Sequence, residues 1–99
     1  MKVEKSADGT AMTVALTGEV DSLNINEIEE ELLKEVEGVK DLTFDMKELE
    51  YISSAGLRVL LQMQKMMKDR GSMVIRNTNE EVMGIFKVTG FVKLLNFEH

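Results

Sequence analysis

The feature that most constrains this chain is a change of hydrophobic period, and its reversal, within the first half. Met12-Thr13-Val14-Ala15-Leu16-Thr17 alternates large apolar with small or polar residues as far as Gly18, the period of a half-buried strand. Ile25, Ile28, Leu32, Leu33 and Val36 then recur at helical spacing, opposed by Glu29, Glu30, Glu31 and Lys34, and Leu42-Thr43-Phe44-Asp45-Met46 restores the alternation. A strand, a helix and a second strand in that order read as a crossover that sets the two strands parallel. The helix lies across the sheet, and the fold class that follows is α/β.

The remaining segments are placed around this unit. Asp8-Gly9 is a hairpin signal that pairs a strand near Val3 with the strand ending at Gly18. For the first helix, Asn24 is the expected cap, with Glu27 reaching back to it, Leu23 stapled onto Ile28, and Gly38 as the stop. Lys47 to Tyr51 reads as irregular. A long helix follows the serine pair, with Arg58, Gln62, Lys65 and Asp69 as its polar stripe and Leu57, Val59, Leu60, Leu61, Met63, Met66 and Met67 on the rest of its circumference. Arg70-Gly71-Ser72 ends it and Met73 to Arg76 is a short strand. Thr78 and Glu81 form the expected capping box of a helix through Val82, Ile85 and Phe86, which stops at Thr89-Gly90. The apolar tail from Phe91 to Phe97 fits either a helical turn or a final strand. With 99 residues and no repeat, low-complexity tract or linker, residues 1–99 read as a single domain.

Charge and composition exclude several function classes. A formal net charge of -6 repels both a phosphate backbone and an anionic membrane, and the lysines and arginines are scattered, so neither nucleic acid nor membrane is expected as a partner. The absence of cysteine removes disulfides, thiolate catalysis and cysteine-ligated metals. The start, Met1 to Lys5, lacks the apolar core of a signal peptide and no apolar run approaches a membrane span, which points to the cytoplasm. The single histidine, His99, stands at the last position and builds no catalytic pair or metal cluster. The acidic run Glu27-Glu29-Glu30-Glu31 is the wet face of a helix, and the isolated glycines form no phosphate loop. No metal and no cofactor are expected.

What remains is Ser53-Ser54, where an extended segment turns into the long helix. The plain explanation is an N-cap, a serine oxygen accepting from an unpaired helix N–H, worth ~0.5–2 kcal/mol. A functional one uses the same geometry, because a phosphate there would face free N–H groups and the positive end of the helix dipole. Such a phosphate would also add charge to an acidic surface and repel a partner docked against it.

The stretch Asp45-Met46-Lys47-Glu48-Leu49-Glu50-Tyr51-Ile52-Ser53-Ser54-Ala55-Gly56-Leu57-Arg58-Val59-Leu60-Leu61 resembles the signature of STAS-domain anti-sigma factor antagonists. Leu16 to Asp21 and Ile85 to Phe91 extend the resemblance over nearly the whole chain. It implies a mixed β-sheet with helices packed mainly on one side. It also implies a switch in which the unphosphorylated protein sequesters an anti-sigma factor serine kinase, freeing sigma factor, until that kinase phosphorylates it and a serine phosphatase restores it. Aligned on Gly56, the family's phosphoacceptor falls at Ser54, with Ser53 in place of the usual aspartate and second in line as acceptor. Asp21 matches an acidic loop position near the acceptor, and Asp21, Ser22, Ser53, Ser54 and Arg58 together form the implied partner-binding surface. Many relatives continue into a further helix, so the edge near Phe97 is less covered and the expected state is a monomer or weak dimer. The competing reading is a non-switching scaffold or accessory subunit of a multiprotein or transporter assembly. An enzyme is not expected, since a serine nucleophile needs an activating base that the sequence lacks.

Overall fold

The computed structural model describes residues 2–98, and His99 lies outside them. Along the chain run β1 (Lys2–Asp8), β2 (Ala11–Val20), α1 (Ile25–Glu35), β3 (Asp41–Asp45), β4 (Leu49–Ile52), α2 (Ser54–Lys68), β5 (Ser72–Arg76), α3 (Glu80–Val88), a 3-10 turn (Phe91–Lys93) and β6 (Phe97–Glu98). The mixed sheet has the order β1-β2-β3-β5-β6, with β4 added alongside β2. β1 and β2 form the antiparallel hairpin expected from Asp8-Gly9, and every other pair is parallel.

Alternation decides which face of the sheet is covered. Met12, Val14, Leu16, Leu42, Phe44, Met73 and Ile75 are buried, whereas Thr13, Ala15, Thr17, Thr43 and Val74 between them are only half-buried. The buried side receives Ile28 and Leu32 from α1, Leu57, Leu60, Met63 and Met67 from α2, and Val82 and Phe86 from α3, in one apolar cluster. The stripe of Arg58, Gln62, Lys65 and Asp69 stays exposed on α2, as its spacing required.

Several local expectations are corrected. Gly18 does not end β2. Its φ of +85 lets the strand bend and continue to Val20, exchanging β3 for β4 as its neighbour. Leu49 to Tyr51, expected to be irregular, form β4 together with Ile52; the strand escapes the period-2 pattern because its register against β2 skips from Gly18↔Leu49 to Glu19↔Tyr51, leaving Leu49 and Ile52 buried and Glu50 and Tyr51 exposed between them.

The helix starts differ as well. Asn24 already has helical angles and makes no cap; the Asp21 carboxylate caps that turn by accepting from the N–H groups of Leu23 and Asn24. Leu23 is therefore no staple but points into solvent at 86% exposure, and Leu33 is 41% exposed rather than part of the buried face. Thr78 yields its capping role to Asn79, whose Oδ1 accepts from the Val82 N–H while its Nδ2 donates to the Leu49 carbonyl. The Asn79 amide serves both partners at once, accepting through Oδ1 and donating through Nδ2. The ambiguous tail is both things in turn, a 3-10 turn and then a two-residue strand beside β5.

Candidate functional site

Because β2 and β4 are parallel, both end at the same edge of the sheet. Val20 pairs with Ile52, and the Ser53 N–H donates to the Val20 carbonyl at 2.8 Å. Asp21-Ser22 and Ser53-Ser54 thus leave the sheet side by side, at the carboxyl ends of parallel strands where open α/β sheets present their functional loops. Among the sequence-predicted residues, Asp21, Ser22, Ser53 and Ser54 are brought together by this register, and Arg58 sits one helical turn beyond Ser54.

The loop after β2 is held firmly. Asp21 Oδ1 accepts from Leu23 and Asn24 at 2.9 Å each, Asn24 Oδ1 accepts from the Asp21 N–H at 2.9 Å, and Asn24 Nδ2 donates to the Glu19 carbonyl at 2.9 Å. This reciprocal box leaves Ser22 and Leu23 exposed at the tip of a fixed turn. The signal was present in the spacing of Asp21 and Asn24, but Asn24 followed by Glu27 offered an equally regular pattern one turn later.

The two serines have different surroundings. Ser53 has extended angles, φ -81 and ψ 171, and caps α2: its Oγ accepts from the Gly56 N–H at 3.3 Å and its carbonyl accepts from the Leu57 N–H at 3.0 Å. Ser54 is the first residue of the helix and is exposed, with no hydrogen bond from its hydroxyl among the described residues. Arg58 is also exposed, and among the described residues it makes neither a hydrogen bond nor an ion pair. Gly56 sets how closely α2 approaches the strands, since a Cβ there would lie 2.7 Å from Ile52 Cγ1 and 2.8 Å from Val20 Cγ1. The start of the helix is therefore pressed onto the ends of both β2 and β4.

Beside Ser54 runs an open groove of about 470 Å³ between β4, the first turn of α2, and α3, walled by Tyr51, Leu57, Ile85 and Val88 and with Ser54 itself in the lining. Tyr51 and Val88 are 46% and 89% exposed. Sequence reasoning missed this groove because Tyr51 fell in a segment read as irregular and Val88 at a helix end. Among the described residues no group of three or more acidic or histidine side chains is placed to hold a metal, and no helix is long and apolar enough to cross a membrane.

A serine is thus presented at a helix start, beside a capped acidic turn at the end of a mixed sheet. The chain belongs to the STAS domain family, whose model matches residues 2–99. It is 32% identical over 96 residues to BtrV of Bordetella bronchiseptica, a protein assigned as an anti-sigma factor antagonist, spanning 95% of this chain and 83% of that relative. The anti-sigma-B factor antagonist of Bacillus subtilis is 27% identical over 97 residues, spanning 97% of this chain and 89% of the relative. The anti-sigma factor antagonist SpoIIAA in its unphosphorylated form has the same fold, with a TM-score of 0.84 at 15% identity over 99% of this chain and 89% of that one. Its phosphorylated form, from Bacillus, gives a TM-score of 0.76 at 14% identity over 99% and 92%. By homology the chain falls among the anti-sigma factor antagonists, which are regulatory binding proteins.

Proposed function

We propose that this protein is a cytoplasmic, single-domain partner switch whose unphosphorylated form binds an anti-sigma factor serine kinase and releases the sigma factor that kinase held. Phosphorylation of Ser54 by the kinase ends binding, and a serine phosphatase restores the protein. It acts as ligand and substrate and not as an enzyme.

The observation that carries the reading is the contrast between the two serines. Ser53 Oγ is engaged as the helix cap, whereas the Ser54 hydroxyl is exposed at the first position of α2. A kinase can reach Ser54 without dismantling the cap. The phosphate it adds lies at the positive end of a helix, where the fold tolerates a dianion. Serine in place of the family's aspartate at position 53 also keeps the local structure, since both residue types are strong N-caps. The charge of about -1.5 to -2 that phosphorylation adds falls on the shared edge with Asp21 and Ser22, so a partner seated there must desolvate it or leave. That relatives of this chain are named as antagonists of anti-sigma factors, and that SpoIIAA exists in both phosphorylated and unphosphorylated forms, supports the same reading.

The test is intact-mass measurement after incubation with ATP and a purified anti-sigma factor kinase from the same organism. One phosphate should appear on the wild type and on Ser53→Ala and be missing from Ser54→Ala. A wild type that stays unmodified, while a control antagonist is phosphorylated by its own kinase, would move the protein to a non-switching scaffold role. Sedimentation should give a monomer or weak dimer.

A further inference from the structure

We infer that β1 is a dimerisation edge, on which a second copy of this chain lays its own β1 antiparallel so that Lys2 of each copy faces Asp8 of the other. The inference stands apart from the switch: it concerns the sheet edge formed by the N-terminal hairpin and needs no phosphorylation of Ser54.

The two ends of the strand order differ. β6 spans only Phe97–Glu98, whereas β1 runs over Lys2–Asp8 and pairs with β2 through an unbroken register. Among the described residues β1 makes its backbone bonds with β2 alone, and all of its residues except Val3 and Lys5 are exposed. Asp8 and Ala11 close a two-residue turn and so form a hydrogen-bonded pair; alternation from there points the amides and carbonyls of Val3, Lys5 and Ala7 outward. A long edge with unpaired groups is a template for a further strand, and proteins that keep it single break it with proline, a bulge or an inward-facing charge. β1 contains no proline and no bulge. Its inward-facing charge, Lys5, is engaged by Glu31 and Glu35 of α1.

Charge and register select the occupant. In a two-fold pair the faces of the two sheets coincide, so even-numbered residues meet even-numbered ones. With Lys5 on the axis, Lys2 faces Asp8 of the second copy, Val3 faces Ala7, Glu4 faces Ser6, and all 7 residues of the strand are paired. Such a ladder holds about six main-chain hydrogen bonds, and Lys2 and Asp8 fall at its non-hydrogen-bonded positions, where side chains stand closest. Lys2, paired with exposed Glu4 on its own strand, then bridges Glu4 and Asp8. A slip of two residues sets Glu4 against Glu4 in one direction and against Asp8 in the other, and like charges directly opposite destabilise the pairing. A slip of one turns every side chain to the wrong face. The two Lys5 amines beside the axis are each held by carboxylates of their own α1, so they do not meet as free cations. An unrelated strand must match this order of charge, whereas a second copy carries it by symmetry. The net charge of -6 on each copy opposes approach and a single strand buries little area, so the dimer is weak.

Sedimentation equilibrium up to about 0.5 mM tests this on the wild type, Lys2→Asp, Asp8→Lys and the variant carrying both changes. The wild type should populate a dimer. Each single variant sets like charges opposite each other at both ends of the ladder and should weaken the dimer about tenfold or more, and the double variant should return to within about threefold of wild type. Both side chains are exposed, so melting temperatures should stay close to that of the wild type. Register is read by cross-linking, because the chain has no cysteine. Glu4→Cys mixed with Ser6→Cys should form a disulfide-linked dimer on mild oxidation, and Glu4→Cys alone should not. A wild type that stays monomeric at that concentration overturns the inference, as does a dimer indifferent to both single substitutions. Glu4→Cys that cross-links to itself sets the copies in another register and overturns it too. None of these results bears on Ser54, whose phosphorylation the mass measurement decides.

Discussion

Ser53 and Ser54 differ by one position on the chain and by everything that decides their chemistry. The extended backbone at Ser53 aims its Oγ at the Gly56 N–H, and the next residue already lies in the helix with its hydroxyl in solvent. Ser53→Ala should therefore lower stability by about 0.5–2 kcal/mol, and Ser53→Asp should restore most of the loss, both read from urea unfolding. Ser54→Ala should stay within about 0.5 kcal/mol of the wild type, as exposed substitutions away from caps do. If Ser54→Ala were the more destabilising of the two, the assignment of the cap would be wrong. At Gly56 the constraint is space, because an added methyl meets Ile52 and Val20 below 3.0 Å. Gly56→Ala should cost about 1–3 kcal/mol by forcing those side chains or the helix to shift, and it should weaken partner binding beyond the stability loss because α2 carries Ser54. A Gly56→Ala protein with unchanged midpoint and unchanged binding would contradict that close approach.

Elements are joined here by a few polar contacts over the apolar layer, and one of them carries a pH signature. Lys5 lies on the β1 position opposite Val14, so it faces the helix layer, with only 20% of its side chain exposed. Its Nζ reaches Glu31 and, at 2.8 Å, Glu35, both on α1. The hydrogen bond to Glu31, then that to Glu35, raises the Lys5 amine above its ordinary 10.5, and the hydrogen bond from Lys5 holds the Glu31 carboxyl below its ordinary 4.5. The glutamate contribution is thus present above 4.5 and lost as pH falls through the lowered value, while the lysine contribution is present below 10.5 and lost as pH rises through the raised one. Lys5→Met should lower the urea midpoint at neutral pH and by less in acid below the lowered Glu31 value, where that carboxyl is protonated in both proteins. An equal loss at both would mean that Lys5 acts only through its aliphatic stem.

The same scale shows what the sequence could and could not convey. β2, β3, α1 and α2 were legible because each displays its period, β1 because Asp8-Gly9 pairs it with β2, and β5 as a short apolar run after the Gly71 stop, while the crossover from β2 through α1 to β3 followed from order alone. β4 was hidden by a bulge that exposes Glu50 and Tyr51 together. The caps of α1 and α3 were misplaced because Asp21 and Asn24, and Thr78 and Asn79, are rival caps locally. At α3 a tertiary contact, Asn79 reaching the Leu49 carbonyl, chooses between the two, whereas at α1 the choice lies in the local box of Asp21 and Asn24.

For the whole molecule, the sheet edge where β2 and β4 end gathers the serine pair, the fixed Asp21 turn and an apolar groove. The serine motif was legible as a sequence pattern, but the groove required α3 to be set against β4, a contact between residues about thirty apart. In the proposed switch, a phosphate on Ser54 would leave this architecture in place and change the field at one edge, so circular dichroism and melting temperature should differ little between the two forms while partner affinity differs greatly. The central claim is that difference. The most direct measurement is the dissociation constant of an anti-sigma factor kinase for the unphosphorylated protein and for the protein phosphorylated at Ser54. The account predicts tight binding of the first and a loss of at least a hundredfold in the second, about 2.7 kcal/mol; equal affinities for the two forms would contradict it.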